Sequence, residues 1–294
     1  MFLALSLTLL STQPARATGS LGGCAIFPDD NPWNQDISTW PVDPNSDNYI
    51  ASIGADTNLH PDFGSDPTYG IPYVVVPEDQ ALVPITYDAY GDESDPGPFP
   101  IPLDAPVEAG GDQHVLVVQS GKCMLYELYD ARQLVNGWTA ESGAKWDLTT
   151  NDLRPEGWTS ADAAGLPILP GLVRYDEVTA GAIEHALRFT VSKSQSSYLY
   201  PARHFASDDD DPNLPPMGLR VRLKADYDIS GFTGASRVIL EALRKYGMIV
   251  ADNGSDWFIS GENNTAWDDD DLNQLKDVPG SAFEAVQSPP APAK

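Results

Sequence analysis

The sequence predicts a mainly β protein, either an antiparallel β-sandwich or a jelly-roll-like domain, with one packed C-terminal helix and long loops. Glycine and proline (24 and 26 of 294 residues) are spread along the whole chain, which suits many short strands rather than a helix bundle. Short runs of alternating apolar and polar residues recur, whereas only one long segment has clear helical periodicity. The sequence does not show the alternation of strands with helices that would indicate a parallel α/β sheet.

The two ends of the chain differ from its middle. Residues 2–10 form an apolar run that is too short to span a bilayer, and Ala15-Arg16-Ala17 is a typical signal-peptidase site. We therefore predict a signal peptide over residues 1–17 and a secreted, extracellular protein. Residues 18–285 are expected to form a single globular domain, because 41% hydrophobic residues suffice for a sizeable core. The proline-rich residues 286–294 are predicted to be a disordered tail.

The chain is strongly acidic. It contains 43 aspartates and glutamates against 17 lysines and arginines, a net charge of −26, and removal of residues 1–17 takes away Arg16 and no acid. Such a surface repels nucleic acid and anionic membranes, so we expect neither as a partner, and we expect a monomer. The charge also disfavours a strongly anionic polymer as substrate.

The chain has two cysteines, Cys24 and Cys123. In an exported protein the default expectation is that they form one disulfide bond. This bond would tie the start of the mature chain to a strand near its middle.

The alternation of apolar and polar residues predicts the strands, and helical periodicity predicts two helices. Residues 235–246 put five apolar side chains on one helix face, and residues 269–276 begin with the acids that a helix N-terminus prefers. Residues 18–70 are predicted to be largely irregular. The predicted strands comprise residues 71–76, 82–87, 114–118, 123–129, 182–191, 197–200, 219–227, 248–251 and 257–260. Asp252-Asn253-Gly254 is a turn signal that predicts a hairpin between the last two of these strands.

A second hairpin is predicted from the strands on either side of Ser120-Gly121. A two-residue turn there would place Val118 opposite Cys123 and His114 opposite Glu127, whereas a three-residue turn would shift the register by one. Cross-strand Cβ atoms lie about 5 Å apart, so His114 and Glu127 are expected to form an acid/base pair. The carboxylate would raise the pKa of the histidine above its ordinary value.

Cleavage of a glycosidic bond needs two carboxyl groups, one as acid and one as nucleophile or base. Glu127 and Asp162 are the best candidates, with His114 and His185 relaying protons or orienting the carboxylates. Together with export and a β-rich fold, they predict a carbohydrate-active enzyme that cleaves an extracellular polysaccharide, most simply a glycoside hydrolase. The predicted substrate contacts are Trp138 and Trp158 as stacking platforms, His204, and Arg174, which would neutralise a uronate in a lyase variant.

Two other functions stay open. A non-catalytic module that binds cell-wall or matrix glycans would use the same tryptophans without turnover. A metalloenzyme would bring three histidines together with Glu127 or Asp162 to ligate zinc or copper. Because no H-x-H, H-E-x-x-H or C-x-x-C spacing supports a metal site, we expect no cofactor, with a metal ion as the one alternative.

Long motifs lie at residues 153–178, 183–189, 201–207, 215–224 and 242–254. With these motifs the chain resembles a family of exported proteins from bacteria and some fungi that has no established activity. The resemblance covers nearly all of the mature chain and implies a single exported domain. It supplies no catalytic residues, so the roles given above rest on chemistry alone.

Overall fold

The computed structural model describes residues 19–289, so the predicted signal peptide and residues 290–294 of the predicted tail lie outside the described residues. The fold is mainly β, as the sequence predicts. The strands are β1 (Ser20–Leu21), β2 (Cys24–Ala25), β3 (His60–Pro61), β4 (Tyr73–Val76), β5 (Ile85–Tyr87), β6 (Val115–Gln119), β7 (Met124–Tyr129), β8 (Arg132–Leu134), β9 (Gly137–Ala140), β10 (Ser142–Asp147), β11 (Leu187–Val191), β12 (Arg220–Leu223), β13 (Met248–Asn253), β14 (Phe258–Ile259) and β15 (Phe283–Val286). The α-helices are α1 (Ser46–Ile53), α2 (Tyr175–Ala180), α3 (Gly234–Lys245) and α4 (Asp269–Leu272). Short 3-10 helices lie at Pro32–Asn34, Gly91–Glu93, Leu169–Gly171, Asn273–Asp277 and Gly280–Ala282.

Two sheets enclose the main core. One has four strands in the order β10-β7-β6-β4, and the other has six in the order β15-β12-β13-β11-β14-β3. Leu116 and Val118 of β6 face the main core, while Val115 and Val117 face a second, smaller core under the sheet β5-β9-β8. Strand β6 is therefore buried on both faces, which explains its uninterrupted apolar sequence.

The sheets mix both strand directions. Within residues 19–289, seven strand pairs are antiparallel and four are parallel: β4 with β6, β5 with β9, β11 with β13, and β14 with β3. The predicted hairpin around Asp252-Asn253-Gly254 is wrong, because β11 lies between β13 and β14 and pairs with both. A local turn signal cannot show that a distant strand will pair between its two flanking strands.

The hairpin of β6 and β7 forms, but its predicted register is wrong. Leu116 lies opposite Glu127 and Val118 opposite Leu125, since the connection comprises residues 120–123 rather than two or three residues. Cys123 takes a left-handed conformation in this loop, with φ of 52°. The shift of two positions leaves every side chain on the predicted face but removes the direct pairing of His114 with Glu127.

The predicted disulfide between Cys24 and Cys123 is present, with a Cα–Cα distance of 5.3 Å. It closes a loop of 99 residues, which in the chain-entropy model stabilises the fold by up to about 4–5 kcal/mol. The bond fixes the N-terminal hairpin β1-β2 to the loop before β7.

Both predicted helices form, and two further helices were not predicted. In α3, Ile239, Leu240 and Leu243 are fully buried, as its periodicity indicates. In the segment expected to be irregular, α1 buries Ile50 and Ile53, and the second unpredicted helix is α2. The predicted domain boundary at residue 285 falls inside β15, which ends at the fully buried Val286. No described helix is long and apolar enough to cross a bilayer.

Candidate active site

An open pocket of about 260 Å³ lies where the end of β13 meets residues 159–163 and the segment around His204. Its volume is just below the roughly 300–1,000 Å³ that is typical of small-molecule sites. We call it the Asp252 pocket. Its ionisable and aromatic lining residues are Tyr90, Asp112, Tyr129, Asp162, His204 and Asp252.

Asp162 forms part of the floor of this pocket and is 1% exposed. The Arg188 guanidinium binds it at both oxygens, with Nε donating to Oδ2 at 2.9 Å and Nη2 to Oδ1 at 2.6 Å. The remaining Arg188 nitrogen, Nη1, donates to the hydroxyl of Ser260. The Asp162 turn is closed by Gly165, whose positive φ of 66° and close approach to the Trp158 carbonyl leave no room for a Cβ. Asp162 is thus held rigidly.

Asp252 lies beside Asp162, at the end of β13. Its Oδ1 accepts the amide of Asn253 at 2.7 Å. Burial, the negative charge of Asp162 and a hydrogen bond with Asp162 raise the pKa of Asp252 to about 8, although Arg188 lowers it in part. With a pKa of about 8, Asp252 is mostly protonated at neutral pH, next to the Asp162 carboxyl group. A proton donor of this kind, half-buried at a pocket wall, is suited to general acid catalysis.

His114 is buried behind the pocket, where its partner is Glu108 rather than Glu127. Its Nδ1 lies 2.6 Å from Glu108 Oε2, and its Nε2 lies 3.0 Å from the Ala161 carbonyl. Burial alone would lower the pKa of His114, but the hydrogen bond and charge of Glu108 outweigh it and raise the pKa. Both ring nitrogens face acceptors, so the imidazolium form satisfies both. The hydrogen bond from His114 Nε2 fixes the backbone at Ala161, the residue before Asp162.

Glu127 is fully buried and lies outside the pocket lining. Its carboxylate accepts the amides of Ile168 at 3.0 Å and of Leu169 at 2.9 Å, at the start of a 3-10 helix. Burial raises the pKa of Glu127 to about 7, although these amide donors oppose the shift. The carboxylate anchors a loop against β7 and does not reach the pocket.

The other predicted substrate contacts have different fates. His204 lines the pocket, with Nδ1 2.8 Å from the Ala163 carbonyl and Nε2 3.8 Å from the Glu93 carboxylate. Trp158 is half-buried beside the pocket segment, and the Arg154 guanidinium lies 5.5 Å from its ring. Trp138 is 1% exposed and packs in the second core, outside the pocket lining.

Arg174 and His185 form a separate cluster around Glu177. Arg174 Nη2 lies 2.5 Å and His185 Nε2 3.0 Å from the Glu177 carboxylate, and all three side chains are almost fully buried. Burial would raise the pKa of Glu177, but His185 and Arg174 outweigh it and lower the pKa. A cavity of about 300 Å³ adjoins Glu177. Neither Arg174 nor His185 lines the Asp252 pocket.

Three important residues at the pocket were not among the predicted site residues: Arg188, Asp252 and Asp112. A signal existed for Arg188, because a lone arginine inside an apolar strand such as Leu187–Val191 indicates a buried ion pair. Asp252 was assigned to a turn, where aspartate is common, and its role depends on contact with Asp162.

Residues 19–289 contain no group of three or more histidine, cysteine, aspartate or glutamate side chains arranged to hold a metal ion. The histidines have separate partners instead: Glu108 for His114, Glu177 for His185, and the Ala163 carbonyl for His204. These three imidazoles therefore lie at separate positions, not at one common site.

No protein-family model, curated protein or solved structure matches this chain. The resemblance drawn from its motifs stays a prediction.

Proposed function

We propose that this protein is a secreted glycoside hydrolase that cleaves an extracellular polysaccharide in the Asp252 pocket. The observation that carries the proposal is the position of Asp252 beside Asp162 in the pocket lining, where burial and the charge of Asp162 raise the pKa of Asp252 to about 8. Glycosidic oxygen is a poor leaving group unless it receives a proton as the bond breaks, so a carboxylic acid with a raised pKa is the group that the reaction requires. The disulfide and the predicted signal peptide support export.

Asp252 and Asp162 are too close to act as the two opposing carboxyl groups of such a reaction, because those lie roughly 5–9.5 Å apart. We assign the second role to Asp112, an exposed acid of the same pocket. Asp112 and Asp252 both act on Tyr129, another lining residue, because burial and then the charges of Asp112, Glu141 and Asp252 raise the pKa of Tyr129. Asp162 is a positioning residue for Asp252, and Arg188 holds Asp162.

In this mechanism Asp252 donates its proton to the glycosidic oxygen as the bond from that oxygen to the sugar carbon breaks. Asp112 takes a proton from the water that attacks the same carbon. The products are two shorter chains, whose combined mass exceeds that of the substrate by one water. The proton then returns from Asp112 to Asp252 through solvent.

The charge of the pocket restricts the substrate. Besides the protonated Asp252, its lining holds the carboxyl groups of Asp112 and Asp162 and no lysine or arginine. The nearest arginines have their donors occupied: Arg188 by Asp162 and Ser260, and Arg154 by Asp95 and two carbonyls. A uronate or a sulfated sugar would be repelled. We therefore expect a neutral or aminated glycan, and we do not propose the lyase variant.

The test is to incubate protein spanning residues 18–294 with a panel of polysaccharides and to measure product masses. Asp252→Asn should lower kcat by about 10²–10⁴-fold, the usual contribution of a general acid. The matched control is Asp270→Asn, an exposed acid of α4, which should keep the wild-type rate. Wild-type turnover by Asp252→Asn would contradict the proposal. Saturable glycan binding with no products from the wild type would instead indicate a non-catalytic glycan-binding module.

A further inference from the structure

A row of three aromatic rings runs outward from the Asp252 pocket. The rings of His204 and Phe205 lie 5.9 Å apart at an interplanar angle of 12°, and those of Phe205 and Tyr198 lie 6.3 Å apart at 23°. His204 belongs to the pocket lining, whereas Phe205 and Tyr198 lie outside it. Phe205 is 38% exposed, so the row presents an apolar surface to solvent directly beside the pocket.

The backbone around Phe205 is fixed by hydrogen bonds on both sides. The amide of His204 donates to the Ala164 carbonyl at 3.2 Å, and the Asn253 side chain donates to the Ala206 carbonyl at 3.2 Å. Asn253 follows Asp252 directly, so one segment positions both the proton donor and this aromatic row. The outer end is held as well, because the Tyr198 hydroxyl donates to Glu156. The surface is thus pre-organised, which lowers the entropic cost of binding.

The size of the pocket indicates what lies on this row. A pocket of about 260 Å³ is too small to bury a long segment of a polymer, so the following units of a bound chain must lie outside it. The C–H faces of sugar rings are flat and apolar, and they release water when they stack on an aromatic ring. Single exposed apolar residues are common on proteins, but Phe205 stands out because it adjoins a pocket wall.

We propose that Phe205 binds the sugar units that follow the one held in the Asp252 pocket, and that the substrate is therefore a neutral polysaccharide bound through several consecutive rings. The inference rests on the proposed function for the reaction, but the binding surface is testable without turnover. Phe205 acts as a specificity-determining residue that favours long chains over short ones. It does not touch the reacting bond.

The experiment compares neutral hexasaccharides with the disaccharides of the same sugars, using β-linked glucose, xylose, mannose and N-acetylglucosamine. Binding to the wild type, Phe205→Ala and Phe205→Trp is measured by calorimetry, and cleavage is measured in parallel. The control is Val135→Ala, which removes an 88% exposed apolar side chain from the tip of the hairpin β8-β9. Phe205 is exposed, so its truncation should leave the fold intact.

We expect at least one hexasaccharide to bind about tenfold or more tightly than its disaccharide, which corresponds to about 1.4 kcal/mol. Phe205→Ala should abolish that difference, Phe205→Trp should restore it, and Val135→Ala should leave it unchanged. For a cleaved sugar, Phe205→Ala should raise KM for the hexasaccharide and leave kcat near its wild-type value. Absence of binding across the panel, or a length preference that persists in Phe205→Ala, would overturn the inference. Binding with this length preference but without products would instead contradict the proposed hydrolysis.

Discussion

The network behind the Asp252 pocket and the cluster around Glu177 are both buried groups of acids and bases beside a cavity, and both contain a histidine and an arginine. They differ in the ratio of charges. Glu177 is one carboxylate between two bases, which lower its pKa. The network behind the pocket has two bases, His114 and Arg188, for four carboxyl groups. Those carboxyl groups are Glu108, Glu127, Asp162 and Asp252.

The surplus of acids explains why carboxyl groups of the network behind the pocket, unlike Glu177, have pKa values raised toward neutral pH. Burial raises the pKa of every carboxyl group, and a base lowers it only where it lies close enough to compensate. Glu108 has His114 and its pKa is lowered, whereas the pKa of Glu127 rises to about 7 and that of Asp252 to about 8. A buried carboxylate whose neighbouring bases outweigh the effect of burial is thus structural, while an acid without such compensation, beside solvent, can exchange protons. This comparison is our reason for placing the chemistry at Asp252 rather than at Glu177.

The largest effect should come from removing the arginine of each cluster. Arg188→Met leaves the buried Asp162 carboxylate without its cation, and we expect the free energy of unfolding to fall by about 3–5 kcal/mol. Arg174→Met should cost a similar amount at Glu177. The measurement is urea denaturation. Only Arg188→Met should also abolish activity, since Arg188 holds the pocket residue Asp162, whereas Arg174 pairs with Asp176 and Glu177 outside the pocket lining.

Arg188→Lys provides the control for this pair of variants, because it keeps the charge but cannot bind both oxygens of Asp162. It should fold with a smaller loss of stability than Arg188→Met. Equal stability of wild type and Arg188→Met would show that the charges of the pocket network are not coupled, and the comparison would fail.

A second prediction concerns how stability depends on pH. The pKa of Glu127 is about 7 in the folded protein and near its ordinary value of 4.5 in the unfolded chain. The unfolded chain therefore loses this proton first, so stability falls as pH rises from about 4.5 to about 7, by on the order of 3 kcal/mol from this group. Glu127→Gln keeps an acceptor for the amides of Ile168 and Leu169 and should flatten the slope.

The measurement is the free energy of unfolding at several pH values across this window. Glu177→Gln is the matched control. Because the pKa of Glu177 is lowered in the folded protein, the stability that this group contributes is lost as pH falls. Glu177→Gln should therefore still lose stability as pH rises from about 4.5 to about 7, as the wild type does. The assignment of this pH dependence to Glu127 would be contradicted if the wild type were more stable at pH 8 than at pH 5 and Glu127→Gln showed the same pH dependence.

The smallest effect tests which carboxylate governs His114. Glu108→Gln should lower the pKa of His114, because it removes the hydrogen-bonded charge that outweighs burial. Glu127→Gln should change that pKa less, since Glu127 binds the amides of Ile168 and Leu169 rather than the imidazole. Histidine NMR titration of the three proteins measures both shifts. A larger shift in Glu127→Gln would restore the cross-strand pair that the two-residue turn predicted.

The features that depend on local patterns could be predicted from the sequence alone. Helical periodicity identified α3, alternation and a turn located the hairpin β6-β7, and two cysteines in a chain predicted to be exported indicated the disulfide. Strand alternation also fixes the face of a residue, so a register error of two positions still left His114 and Glu127 on the predicted faces. Asp162 and His204 were singled out from their chemistry and do line one pocket.

Which of these residues come into contact depends on long-range packing. Asp162 gains Arg188 and Asp252 because β11 pairs with β13, a long-range parallel contact that no local pattern encodes. The same packing buries Trp138 and directs His185 and Arg174 to Glu177. A pKa depends on burial and on charges from distant segments, so the titrating acid became identifiable only once the chain was folded. Composition supplied many acids, and packing selected the one that remains protonated beside solvent.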